Sequence, residues 1–428
     1  MTTLDELSHG RLAGARELRL RGGLTEFPRD IFGLAETLEV LDLSDNALDS
    51  LPDDFSRLTR LRVLFCSGNR FTRLPPALGD CPALTQVGFR ATGLREIPAE
   101  ALPAGLRWLT VTDNQLELLP SALGERPALQ KLMLSGNRLR HLPDSMAGAA
   151  GLELLRLSAN RFDALPDWLA DLPRLAWLAY AGNPLDRRIG TPEPVLAPWS
   201  SLEPGIMLGE GASGHVYQAT WRPDRGPVRD VALKLFKGAM TSDGLPDREI
   251  AACLAAGDHP NLTGGLARLT GHPAQVQGLL MPLLPPKWRV LAGPPSLKSC
   301  SRDIYDPSSC FGAATVHGIA IGIAAAGAHL HECCLLHGDL YAHNTLWDGS
   351  VGHAVLSDFG AASLLPDGGV GRAIMKTDVL AWGVLLGELL DRCSDQLTKL
   401  RDLQRECVQP KPSARPAMAD VREELQGP

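Results

Sequence analysis

The chain has 428 residues, 44% hydrophobic and 21% charged, a composition that suits about two to three packed domains and excludes a wholly disordered chain. Lysines and arginines number 42 against 49 acids, for a net charge of −7 shared by both halves. Binding along a polyanion needs a basic surface, so no nucleic-acid partner is expected.

The amino terminus, Met1 to Glu6, has neither the basic start nor the apolar stretch of a signal peptide. The run from Gly318 to Ala328 is the most lipid-like in the chain and is too short to span a bilayer. Nine cysteines form no C-x-x-C pair, which reads as reduced thiols in a cytoplasm. Delivery into another cell as an effector stays open. Oligomeric state leaves no sequence signal.

Residues 1–185 repeat. Leu38, Leu61, Leu84, Leu106, Leu129, Leu152 and Leu175 open one motif at intervals of 22 or 23 residues, and an asparagine follows eight residues later in six of the seven copies. Thr92 takes its place once. Pro28, Pro52, Pro75, Pro98, Pro120, Pro143 and Pro166 keep the same phase. The pattern matches the leucine-rich repeat consensus L-x-x-L-x-L-x-x-N-x-L, and the resemblance implies an α/β solenoid. A unit this short cannot bury its own apolar face, so neighbouring units must stack on one core. Leu61, Leu64, Cys66 and Phe71 should point inward, with Leu74 and Leu78 closing the convex side. The asparagine amides should satisfy backbone groups left open where the chain leaves each strand. In the variable strand columns, Val63, Phe65, Trp108, Met133, Leu154 and Trp177 predict an apolar concave face for a protein substrate or regulator. Cover by the second domain is the alternative.

Residues 186–204 carry Pro192, Pro194, Pro198 and Pro204 and predict a stiff linker. Motifs without a period follow. Leu208 to Val216 fits G-x-G-x-x-G-x-V, with Gly209, Gly211 and Gly214 at the glycine positions. Val231-Ala232-Leu233-Lys234 fits a V-A-I-K strand, and Glu249 opens a helical stretch. His337-Gly338-Asp339-Leu340-Tyr341-Ala342-His343-Asn344 fits H-R-D-L-x-x-x-N with one change. Asp358-Phe359-Gly360, the Asp378 helix and Arg415-Pro416 complete the order.

Together these motifs resemble the eukaryotic-type protein kinase family across 205–428. The fold class expected is therefore multidomain, an α/β solenoid followed by a bilobal α+β domain with lobes at 205–284 and 285–428. The resemblance implies ATP and Mg²⁺. Lys234 would hold the α- and β-phosphates, Glu249 would aim Lys234, and Asp339 would accept the proton of the substrate hydroxyl. Asn344 and Asp358 would ligate Mg²⁺, whose preference is for hard oxygen donors. Val216, Ala232 and Leu346 would sandwich the adenine, with Met281 gating the space behind. His337 is expected to pack on Phe359.

Three departures qualify the resemblance. Gly338 stands where regulated kinases carry the arginine that pairs with a phosphorylated activation segment. Ser363 and Thr377 are the only hydroxyls in 361–377, so activity without phosphorylation there is expected. No A-P-E lies in that segment, so Arg415 must find another acid or stay exposed. Tyr341 and His343 occupy the positions of the serine/threonine-kinase lysine and the tyrosine-kinase arginine. Serine/threonine specificity is the expectation. A small-molecule phosphotransferase of the aminoglycoside or choline kinase type is the second reading, and a pseudokinase scaffold the third.

Overall fold

A computed structural model describes residues 4–188, 194–211, 213–241 and 243–427. Residues 189–193 of the expected linker and Ala212 of the glycine loop lie outside the described residues. The chain divides into two compact units, Met1–Trp168 and Leu169–Pro428. The sequence pattern ends the repeats at 185, whereas the division falls before the last copy, which belongs to the second unit.

The first unit begins with α1 (Leu4–Ser8) and carries seven short strands: β1 (Glu17–Arg19), β2 (Val40–Asp42), β3 (Val63–Phe65), β4 (Gln86–Gly88), β5 (Trp108–Thr110), β6 (Lys131–Met133) and β7 (Leu154–Arg156). Each pairs in parallel with the next, in register one repeat apart, as in Val40 with Val63. The phase-marking prolines explain themselves here. Pro28, Pro52, Pro75, Pro98, Pro120 and Pro143 each sit immediately before a 3-10 turn, with φ between −60° and −72°, a torsion their rings impose without strain. Leu61, Leu64, Cys66, Phe71, Leu74 and Leu78 are all buried, and Phe71 meets Phe89 of the next repeat edge-on at 4.9 Å. The asparagines form a ladder: Asn69 donates to the carbonyls of Leu43 and Cys66 and accepts from the Leu48 amide.

The apolar column differs from expectation. Val63, Met133 and Leu154 are buried, as is Trp177, so none of the four presents a free surface. Phe65 and Trp108 remain half-buried, their rings edge to face at 6.5 Å, with the Lys131 ammonium 4.2 Å above the indole.

In the second unit, β8 (Trp177–Ala179) precedes a mixed sheet built from β9 (Leu196–Pro198), β10 (Leu202–Glu210), β11 (Gly214–Trp221), β12 (Arg229–Phe236), β13 (Ala267–Thr270) and β14 (Gly278–Pro282), in the order β10-β11-β12-β14-β13-β9. All pairs are antiparallel except β13 with β9. Helix α2 (Pro246–Ala255) stands beside the sheet, and a helical part with α3 (Ala313–Glu332), α4 (Gly369–Leu390), α5 (Thr398–Cys407) and α6 (Met418–Gln426) completes the unit. Among the described residues α3 is long and apolar enough to cross a membrane; the run noticed in sequence is only its middle. Its Ile319, Ile323, Ala324, Ala326 and Leu330 are buried within the unit, and the Ala320 carbonyl accepts from the Trp382 indole at 3.1 Å.

Candidate active site

A cavity of about 580 Å³ opens between the sheet and the helical part, a size suited to a small-molecule ligand. Gly209, Gly211, Gly214, Val216, Ala232, Lys234, Met281 and Leu346 all line it, together with Glu249 and Asp358. Strand register explains the convergence. Pairing of β11 with β12 sets Val216 opposite Lys234, and pairing of β12 with β14 sets Ala232 opposite Met281. The glycines divide in role: a Cβ on Gly209 or Gly211 would meet open space, whereas one on Gly214 would come within 2.4 Å of the Leu235 carbonyl oxygen. Gly214 is therefore required by strand packing, while Gly209 and Gly211 leave backbone exposed above the cavity.

Lys234 is 7% exposed and Glu249 4%. The Lys234 ammonium pairs with the Glu249 carboxylate, and the Asp358 Oδ1 lies 3.7 Å away. Burial disfavours the ammonium, but Asp358 and Glu249 outweigh it and raise the lysine pKa, so Lys234 is held charged. Burial pushes the Glu249 carboxyl upward, and the Lys234 ammonium beside it favours the charged form. At Asp358 desolvation also works upward, yet Lys234 and the Gly360 amide prevail and its pKa is lowered. Asp358 has φ of 61°, a costly backbone state that recurs at functional sites.

The catalytic-loop candidates are tied together on the helical side. The Asn344 side-chain amide donates to the Asp339 carboxylate at 2.7 Å and to its carbonyl at 2.8 Å. The Asn344 carbonyl accepts from the Ser357 amide and hydroxyl, both at 2.8 Å, which links it to the residue preceding Asp358. His337 is fully buried, 5.5 Å from the Phe359 ring, with Nδ1 accepting the Asp339 amide proton and Nε2 donating to the Ser357 carbonyl. Burial lowers its pKa, so it is a neutral strut. His343 pairs through Nδ1 with Asp303 at 2.7 Å.

The donors suit Mg²⁺. With its NH₂ group engaged by Asp339, Asn344 keeps an amide oxygen to offer, and Asp358 offers a carboxylate 44% exposed. Mg²⁺ is commonly bound by one or two protein oxygens plus phosphate; among the described residues no cluster of three or more His, Cys, Asp or Glu that could hold a metal is formed.

Sequence reasoning missed Ile206, Leu284 and Trp288 in the cavity wall. Ile206 lies next to the glycine loop and could have been read from its place on the entering strand; the 282–288 stretch carries no motif. Among the described residues Arg415 finds no acid, and it does not stay exposed. It is buried, and its guanidinium donates to the carbonyls of Gln409, Lys376 and Pro173. The loop after Gly360 is shorter than the sequence suggests, because α4 begins at Gly369 and already contains Thr377.

The family model for leucine rich repeats matches residues 16–71, 104–162 and 127–185, and that for protein tyrosine and serine/threonine kinases matches 202–372. The chain is 37% identical over 114 residues to the mouse leucine-rich repeat serine/threonine-protein kinase 1, covering 26% of this chain and 5% of that protein. It is 29% identical over 164 residues to the mouse receptor tyrosine-protein kinase erbB-4, covering 37% and 11%. It is 32% identical over 105 residues to the U2 small nuclear ribonucleoprotein A' of Arabidopsis thaliana, covering 24% and 42%. The chain thus spans less than half the length of each of these relatives.

Proposed function

We propose that this chain, in which leucine-rich repeats precede a protein kinase domain, transfers the γ-phosphoryl group of ATP to serine or threonine hydroxyls of a protein. One observation carries the reading: Lys234, Glu249 and Asp358 form a charged cluster in the cavity, while Asn344 ties the Asp339 carboxylate into the loop leading to it. Phosphoryl transfer asks a protein chiefly for positioning and charge neutralisation, and this set offers both. Lys234 brings a fixed positive charge for phosphate oxygens, and Glu249 holds its ammonium in place. Asn344 and Asp358 would hold Mg²⁺, which when bound neutralises phosphate charge. Asp339, held by its Asn344 and His337 contacts, would take the proton of an attacking hydroxyl. Val216, Ala232, Met281 and Leu346 supply apolar walls for a purine.

The loop before α4 is short, since α4 begins at Gly369. The repeats are assigned protein binding through Phe65 and Trp108. That same short loop favours, as a second reading, a small-molecule acceptor.

Labelled ATP and Mg²⁺ should be incubated with the full chain, with and without dephosphorylated casein, beside Asp339→Asn. Label on casein serine or threonine, lost in the variant, is expected. Label on tyrosine would reverse the specificity, turnover only with added metabolites would favour the second reading, and no turnover would leave a scaffold.

A further inference from the structure

Two of the three departures from the kinase pattern, at Gly338 and at Arg415, lie against the last repeat. Gly338 has φ of 69°, and a Cβ there would lie 2.2 Å from the carbonyl oxygen of Leu178. Arg415, which lacks its A-P-E acid, donates instead to the Pro173 carbonyl at 2.6 Å. Between these contacts the repeat grips both working loops. The Trp177 indole lies flat on Tyr341, centroids 4.1 Å apart and planes 7° from parallel, and donates to the Leu340 carbonyl at 3.0 Å. The Arg302 guanidinium also lies over the indole, 5.0 Å from its centroid. The Tyr180 amide donates to the Ser363 hydroxyl at 3.0 Å, and the Tyr180 hydroxyl donates to the Leu364 carbonyl at 3.0 Å. The Ser363 hydroxyl donates in turn to the Ala361 carbonyl and the residue is 1% exposed. Thr377 is 4% exposed and bonded to the Ile374 carbonyl. Neither hydroxyl is open to a modifying enzyme.

We propose that the segment from Pro173 to Tyr180 is a positioning element for phosphoryl transfer, holding the catalytic loop and the short activation segment in working order in place of a phosphate on that segment. Trp177 acts through Leu340 and Tyr341, which flank Asp339 on its carboxyl side, and Tyr180 acts through Ser363 and Leu364. The inference rests on the protein kinase reading above. It makes the last repeat part of the enzyme's catalytic architecture and leaves partner binding to the earlier repeats.

The test is steady-state turnover of the full chain with ATP, Mg²⁺ and casein. Phosphatase-treated protein, shown by mass spectrometry to carry no phosphate at Ser363 or Thr377, should keep its kcat. Trp177→Ala should lower kcat about 10- to 100-fold, the scale of a slightly misplaced catalytic group, with KM for ATP within about twofold. Trp177→Phe, which keeps a ring to stack on Tyr341, should recover most of that loss. Should Trp177→Ala fail to fold, Tyr180→Phe must lower kcat at unchanged Tm. Wild-type kcat in Trp177→Ala or, in its stead, Tyr180→Phe, joint loss of ATP binding and kcat in both Trp177 variants, or inactivation by phosphatase would overturn the proposal. Absence of Asp339-dependent turnover in the wild type would remove the kinase reading itself, whereas normal wild-type turnover with an indifferent Trp177→Ala removes the proposal alone.

Discussion

Gly338 and Leu178 approach so closely that no side chain fits between them: a Cβ on the glycine would stand 2.2 Å from the Leu178 carbonyl oxygen and 3.1 Å from that of Ala361. The obstacle is backbone, which cannot swing aside as a flexible side chain would. Gly338 also holds φ of 69°, a region that strains residues bearing a Cβ. Gly338→Ala should therefore cost about 2–4 kcal/mol, combining backbone strain with overpacking. Thermal unfolding would show it, and a variant as stable as the parent would refute the close approach.

The Lys234 and Glu249 pair gives a second expectation. Glu249→Gln keeps the shape of the side chain but removes the charge that aims the ammonium, leaving Lys234 to Asp358 alone at 3.7 Å. Loss of one member of a buried pair typically costs about 3–5 kcal/mol, and Asp358 should soften that figure here. The kcat/KM for ATP should fall about 100-fold, as when a positioned charge is lost from a transition state. Kinetics at saturating and limiting ATP would measure it.

Asp378 predicts a pH dependence. Its carboxylate is buried, and accepts from the amides of His337 and Gly338 and from the His331 ring. Burial raises its pKa, but the hydrogen bond from the His331 ring and the amide of His337 outweigh this and lower it from the ordinary carboxylate range. A depressed carboxylate contributes stability that is present above its unfolded-state pKa and lost as pH falls through the folded value. Asp378→Asn should lose about 3 kcal/mol at neutral pH, since an amide cannot serve all three donors. Below about pH 4 the gap between variant and parent should narrow. Urea titrations across that range would reveal a constant gap if Asp378 were not the cause.

In the first unit, Asn114 should be the costliest asparagine of the ladder to lose. Its oxygen accepts from the amides of Thr92, Gly93 and Leu94 and from the Thr92 hydroxyl, and its NH₂ donates to the carbonyls of Phe89 and Val111. Asn114→Ala would strand several buried backbone groups and should cost about 2–3 kcal/mol. Chemical denaturation followed by circular dichroism would measure the loss. An unchanged midpoint would mean that water replaces the amide freely.

The solenoid was legible from the amino acids because its contacts are local and periodic. Each leucine meets its equivalent about 23 positions on, so one pattern declares both the strand and the core. The candidate cleft was legible for another reason: the phosphoryl transfer proposed for it restricts residue type at Lys234, Glu249, Asp339, Asn344 and Asp358, and the order of these residues is itself a signature. The destination of the last repeat was not legible. Trp177, Tyr180 and Pro173 meet partners 163 to 242 positions away, and nothing in their local pattern separates them from the preceding copies. Much of that contact runs through backbone carbonyls and amides, which every residue carries alike. Folding alone set one more repeat against the loop that carries Asp339, and alone decided that Trp177 and Leu154 would be covered while Phe65 and Trp108 stayed partly open.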